Sequence, residues 1–100
     1  MKVYLSQNAE SKLLLLIDYL KVKWNDKTKY DFLEKMNKKI EMISKFPQSC
    51  PESKDFSEVY KCVVSKQTTF YYRILSDKEE IEIITLFDTR QNPELLFKEI

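Results

Sequence analysis

The stretch 59–93, VYKCVVSKQTTFYYRILSDKEEIEIITLFDTRQNP, decides how the chain folds. It holds three runs rich in β-branched and aromatic residues: Val59–Ser65, Thr69–Ser76 and Ile81–Phe87. Alternation assigns faces. Phe70, Tyr72 and Ile74 share one side of the second run, and Tyr71, Arg73 and Leu75 share the other. In the third run Ile81, Ile83 and Phe87 are predicted to oppose Glu82, Ile84 and Leu86. Breaks of about three to five residues join antiparallel neighbours, whereas a parallel crossover needs a dozen or more. The stretch therefore predicts a three-stranded antiparallel meander whose apolar face needs a cover.

The preceding residues supply that cover. Lys2-Val3-Tyr4-Leu5-Ser6 reads as a short first strand, after which Ser6 or Asn8 offers an oxygen to cap a helix. Leu13, Ile17, Leu20 and Trp24 recur at helical spacing, widened by Leu14 and Leu16, which places Trp24 in the core. Asn25 or Asp26 caps a second helix with Leu33, Met36, Ile40 and Ile43 on its buried stripe. Pro47 cannot continue that helix and biases Phe46 away from helical geometry. Two helices joined so tightly are antiparallel neighbours. Gln48–Glu58 reads as a polar surface loop, Asp88–Pro93 as a turn, and Glu94–Ile100 as one further helical turn. Residues 1–100 are thus read as one α+β domain, in the order strand, helix, helix, strand, strand, strand. A helical hairpin packs on one face of an antiparallel-dominated sheet.

Composition narrows the chemistry. The 17 Lys+Arg and 16 Asp+Glu leave a net charge of +1, so whole-chain attraction to nucleic acid is not implied. The charges segregate, however. Eight lysines in residues 21–45 face four acids, and residues 76–100 carry seven acids against three cations. A solvated helix face accounts for the lysines; a surface for a polyanion or an acidic partner is the alternative. There is no histidine, which removes the usual general base, the commonest nitrogen metal ligand, and Ser/His or Cys/His nucleophilic chemistry. Without glycine, Gly-rich phosphate loops are excluded. Cys50 and Cys62 fit no metal-ligand spacing and read as packing residues, so neither metal nor cofactor is expected. No run reaches the roughly 20 apolar residues of a membrane span, and no secretory signal is legible. A reduced cytoplasmic setting is expected.

Order and residues together resemble the RelE/ParE family of type II toxin–antitoxin toxins, closer to its ParE-like members. The first helix contributes Ala9, Leu13, Ile17, Tyr19-Leu20 and Trp24, and the second Phe32, Leu33, Ile40, Ile43 and Phe46-Pro47. The strongest portions are Lys61–Gln67, Tyr71-Tyr72-Arg73-Ile74, and Ile81–Phe87 running into Asp88-Thr89-Arg90-Gln91-Asn92-Pro93. The resemblance implies a cytoplasmic growth inhibitor silenced by a cognate antitoxin that lays a helix or strand over its exposed apolar surface. DNA contact is then expected only through the antitoxin. Members of the family either cut mRNA on the ribosome or poison DNA gyrase.

The RNase needs several cations and a proton-moving group around the scissile phosphate. By resemblance, Lys61 and Arg90 fall on two of those positions and would be its catalytic residues. Val63 stands where a second strand lysine belongs, Phe70 near a strand arginine, and Leu96 or Phe97 at the C-terminal tyrosine. Each lost electrostatic donor costs roughly 2.7–4 kcal/mol of transition-state stabilisation. The expectation is therefore a gyrase poison, for which Lys61, Lys66, Arg73 and Arg90 are the target-binding candidates. A ribosome-dependent mRNA endonuclease and a non-toxic antitoxin-binding relative are the alternatives. Simpler roles stand beside these: Arg73 pairing with Glu82 across the hairpin, Arg90 tying down its turn through Asp88, and the tyrosines as core.

Overall fold

The computed structural model describes residues 1–88 and 94–100. In chain order the elements are β1 (Lys2–Leu5), α1 (Gln7–Lys23), α2 (Asp26–Lys45), β2 (Tyr60–Val63), β3 (Thr68–Leu75), β4 (Glu80–Asp88) and α3 (Glu94–Glu99). The sheet runs β1-β4-β3-β2. The meander is antiparallel, and β1 lies parallel to β4 with Val3 opposite Ile81 and Leu5 opposite Ile83. This is the α+β arrangement read from the sequence. Of the turn predicted over Asp88–Pro93, Asp88 is the last residue of β4 and 89–93 lie outside the described residues.

Local chemistry starts and stops the helices. The Ser6 hydroxyl caps α1 by accepting from the Ala9 N–H at 3.0 Å, and Asn25 caps α2 by accepting from the Thr28 N–H at 2.8 Å. Lys21 and Lys23 sit in the last turn of α1, where the helix dipole favours cations. Helix α2 ends at Lys45, ahead of Pro47. Two bonds then pin its end to the N-terminus: the Met1 ammonium donates to the Ser44 carbonyl at 2.8 Å, and the Ser44 hydroxyl donates to the Met1 carbonyl at 2.6 Å.

Strand β4 departs from simple alternation. Tyr72 pairs with Ile83 but Tyr71 pairs with Thr85, so Ile84 is an extra residue, a β-bulge. One added residue inverts the phase of everything beyond it. Leu86, predicted opposite Ile81 and Ile83, instead joins them in the core under the helices, while Phe87 goes to the other side with Ile84. Ser6 fixes the bulge: its N–H donates to the Ile83 carbonyl at 2.9 Å and its hydroxyl to the Ile84 carbonyl at 2.6 Å.

Both sheet faces are covered. Ala9, Phe32, Met36 and Ile43 from the helices meet Cys62, Phe70, Tyr72, Ile81, Ile83 and Leu86 from the sheet. The outer face carries a second cluster of Val59, Tyr71, Ile84 and Leu96, with Phe56, Phe87 and Ile100 against it. The segment read as a surface loop therefore buries Cys50 and contributes Phe56 to the outer cluster. It folds back on β2 through the Ser53 N–H to the Val59 carbonyl (2.6 Å) and the Lys61 N–H to the Pro51 carbonyl (2.9 Å). Both tyrosines are core, on opposite faces.

Helix α1 corrects a second expectation. Leu13, Leu16 and Leu20 pack inward, but Leu14 is 61% exposed and Trp24 is 66% exposed. The stripe on one helix face is about 100° wide, and Trp24 lies at the C-cap, where the backbone (φ −118°, ψ −94°) has left helical geometry. Ser6→Ala is expected to lower the unfolding free energy by about 1–3 kcal/mol, read from urea midpoints, because a helix cap and a bulge bond are lost together.

Candidate functional site

Three of the four target-binding candidates lie among the described residues: Lys61 and Arg73 share one sheet face, and Lys66 lies apart from them. Lys61 stands on exposed β2 opposite Tyr71, with its side chain on the outer face. Arg73 is two residues from Tyr71 on that face, half-buried and opposite Glu82 in register. Among the described residues the ion pairs are Lys12–Glu99 and Lys38–Glu34, so the predicted Arg73–Glu82 bridge does not form. Lys66 sits in the β2–β3 turn, beyond Thr68. Arg73 lies five steps along β3 from Thr68, roughly 17 Å at 3.4 Å per residue. Arg90 lies outside the described residues.

The positions an RNase would use look different in three dimensions. Phe70 is fully buried under the helices, so it cannot stand in for a cation beside Lys61. The outer-face neighbour of Val63 is Thr69, paired with it in register and also not cationic. Leu96 is buried in the outer cluster, while Phe97 is 61% exposed and packs on Phe56 with ring centroids 5.1 Å apart. Phe56 in turn meets Tyr71 edge-on at 6.4 Å.

A polar clamp holds α3 over this face. Glu99 is ion-paired with Lys12 and accepts from the Thr85 hydroxyl at 3.0 Å. Thr85 accepts from the Asn8 amide at 3.4 Å, and Lys12 also reaches the Leu86 carbonyl at 3.5 Å. Helices α1 and α3 and the bulged strand are thereby joined.

The titratable groups of the core are poor proton acceptors. Burial, with the Cys50 thiol beside it, pushes the Cys62 thiol up to about 12. Burial likewise raises Tyr72, whose hydroxyl donates to the Pro47 carbonyl at 2.7 Å. Tyr71 is raised by burial and then by Asp55. None of these groups ionises near neutral pH, so none offers a base or a nucleophile. Among the described residues no cluster of three or more Cys, Asp or Glu side chains could hold a metal ion.

The chain that folds into this strand, helical hairpin and meander matches a known toxin family. The model for the ParE toxin of the type II toxin–antitoxin system, parDE, matches residues 3–93. The chain belongs to the ParE toxin family. Two solved structures share its fold. One is the chromosomal ParDE toxin–antitoxin system from P. aeruginosa, at TM-score 0.72 and 12% identity over 88% of this chain and 95% of that one. The other is a YoeB/ParE toxin from Agrobacterium tumefaciens, at TM-score 0.65 and 16% identity over 88% and 98%. No curated protein sequence matches the chain.

This ParE-family chain has a surface that the sequence reading missed. Leu14, Leu15, Tyr19 and Val22 line the outer side of α1, at 61%, 72%, 38% and 73% exposure. The signal was available: four consecutive leucines, 13–16, cannot all face one side of a helix. Beside this surface runs a trough in two parts that share Leu16 and Thr68. A cavity of about 260 Å³ lies against Lys12, Leu86 and Phe87, and one of about 390 Å³ lies between the hairpin tip and the β2–β3 turn.

Cys62 and Tyr72 both make stability fall at alkaline pH. Their folded-state values lie above the ordinary 9.0 and 10.0, so their contribution is complete below about pH 9 and is lost as pH rises toward the folded values. The unfolding free energy should fall above pH 9, by at most about 1.4 kcal/mol per pH unit for each group. Urea titrations of Cys62→Ala should delay that fall until tyrosine ionisation begins near pH 10.

Proposed function

We propose that this ParE-family protein is the toxin of a type II toxin–antitoxin pair, arresting growth in the cytoplasm by poisoning DNA gyrase. The observation that carries the reading is the closed outer face. Buried Tyr71, Ile84 and Leu96 occupy the ground on which an RNase would need cations and a proton acceptor. A gyrase poison needs no such set, because it acts by holding a protein–DNA intermediate through surface contacts. Lys61 and Arg73 on the outer face, Lys66 at the far end of the sheet, and Arg90 are the proposed contacts.

A cognate antitoxin is proposed to neutralise the toxin by covering the outer side of α1. An apolar segment laid on Leu14, Leu15, Tyr19 and Val22 would bury side chains that now face water. No helix among the described residues is long and apolar enough to cross a membrane.

The target is tested by inducing the protein alone in a bacterial host and pulse-labelling DNA and protein synthesis over the first minutes. DNA synthesis should stop first, and purified protein should inhibit supercoiling and trap gyrase-linked DNA breaks. Early arrest of protein synthesis with cut mRNA would assign the ribosome instead. Harmless expression with unchanged gyrase would leave only an antitoxin-binding relative.

A further inference from the structure

We propose that the groove between the helical-hairpin tip and the β2–β3 turn seats one unstacked nucleotide of single-stranded DNA. Trp24 is the stacking plate, and Lys35 and Lys66 hold the flanking phosphates. The proposal deepens the gyrase reading and rests on it for the choice of DNA over RNA. It departs from the expectation that DNA is met only through the antitoxin.

The groove has the lining this ligand needs. Leu16, Leu20 and Phe32 form an apolar floor, and Trp24 forms a wall although its side chain is two-thirds exposed. An exposed indole beside an apolar slot is a platform on which any base can stack. Thr28, Ser65 and Gln67 bring hydroxyl and amide groups to the rim, suited to the polar edge of a base. The volume of about 390 Å³ lies in the range of small-ligand sites.

The surroundings are cationic. Lys21, Lys23, Lys27, Lys35 and Lys66 are exposed on this end of the molecule, against Asp31, which lines the groove beside Lys35, and Asp18, Asp26 and Glu34 nearby in sequence. Neither ion pair among the described residues involves any of these lysines, so their charge is available to a polyanion. An acidic protein helix is the competing occupant. The exposed indole beside the apolar lining favours a base, whose flat face can stack on it, over an acidic side chain, which cannot.

Trp24 is the sole tryptophan, so the full-length protein carries its own probe. Titration with a 12-mer of oligothymidylate should quench its fluorescence saturably, because a stacked base contacts the indole directly. Two phosphate contacts give a log–log salt slope of about −1.4. Anisotropy with labelled oligothymidylate should show Trp24→Ala binding about tenfold more weakly. Lys66→Glu, on a solvent-facing turn and checked for folding by circular dichroism, should weaken binding at least as much as Lys66→Ala. Absence of quenching, or unchanged affinity in Trp24→Ala, would overturn the proposal. So would a 12-mer of oligouridylate binding more tightly than the DNA, which assigns RNA, or poly-glutamate quenching equally, which assigns an acidic protein. No gyrase enters the titration, so this site and the supercoiling result can fail separately.

Discussion

One residue, Ser6, joins through its hydroxyl and its N–H the three things on which this architecture depends. It ends β1, caps α1, and holds the Ile83 and Ile84 carbonyls at the bulge of β4. A bulge leaves backbone groups outside the ladder, and buried carbonyls without partners are costly. Ser6 satisfies them while setting where α1 enters the fold. The helix therefore lies over the helix-side core at a position dictated by an irregularity in a strand 78 residues away in sequence.

The bulge also explains why both faces of the sheet are apolar. Up to Ile83, β4 follows a period of two; beyond it, the phase reverses, so Leu86 supports the helices and Phe87 the outer cluster. The outer cluster then needs its own cover. Phe56 from the loop and Leu96 from α3 supply it, with Glu99 holding α3 through Lys12 and Thr85. Lys61 and Arg73 stand on the same face beside the sealed cluster, and the proposed trap for a protein–DNA intermediate would use them as surface contacts.

Helix α1 divides its apolar residues between two tasks. Leu13, Leu16 and Leu20 stabilise the fold from within, while Leu14, Leu15 and Val22 leave most of their apolar surface in water. The surface proposed for an antitoxin and the groove proposed for a nucleotide meet along this helix, through Leu16 and Thr68 at the boundary of the trough. A partner covering one would crowd the other, which would give the proposed neutralisation a steric basis.

The residues in order were enough to determine element order, each helix cap to one of two candidates, the end of α2 before Pro47, the meander and the family, because each depends on local periodicity or on side chains a few positions apart. The same locality made the faces of β3 readable: Phe70 and Tyr72 inward, Tyr71 outward. Only the tertiary structure decided the rest. Whether β4 gains a bulge depends on what bonds its spare carbonyls, and that donor, Ser6, is remote in sequence. Whether Trp24 is core or surface depends on where the helix ends relative to the sheet, which hydrophobic spacing does not encode. Whether Lys61, Lys66 and Arg73 act together depends on distances along and across strands, and pairing alone places Lys66 at one end of β3 and Arg73 toward the other. Local rules choose the elements; long-range bonds choose which side chains face water.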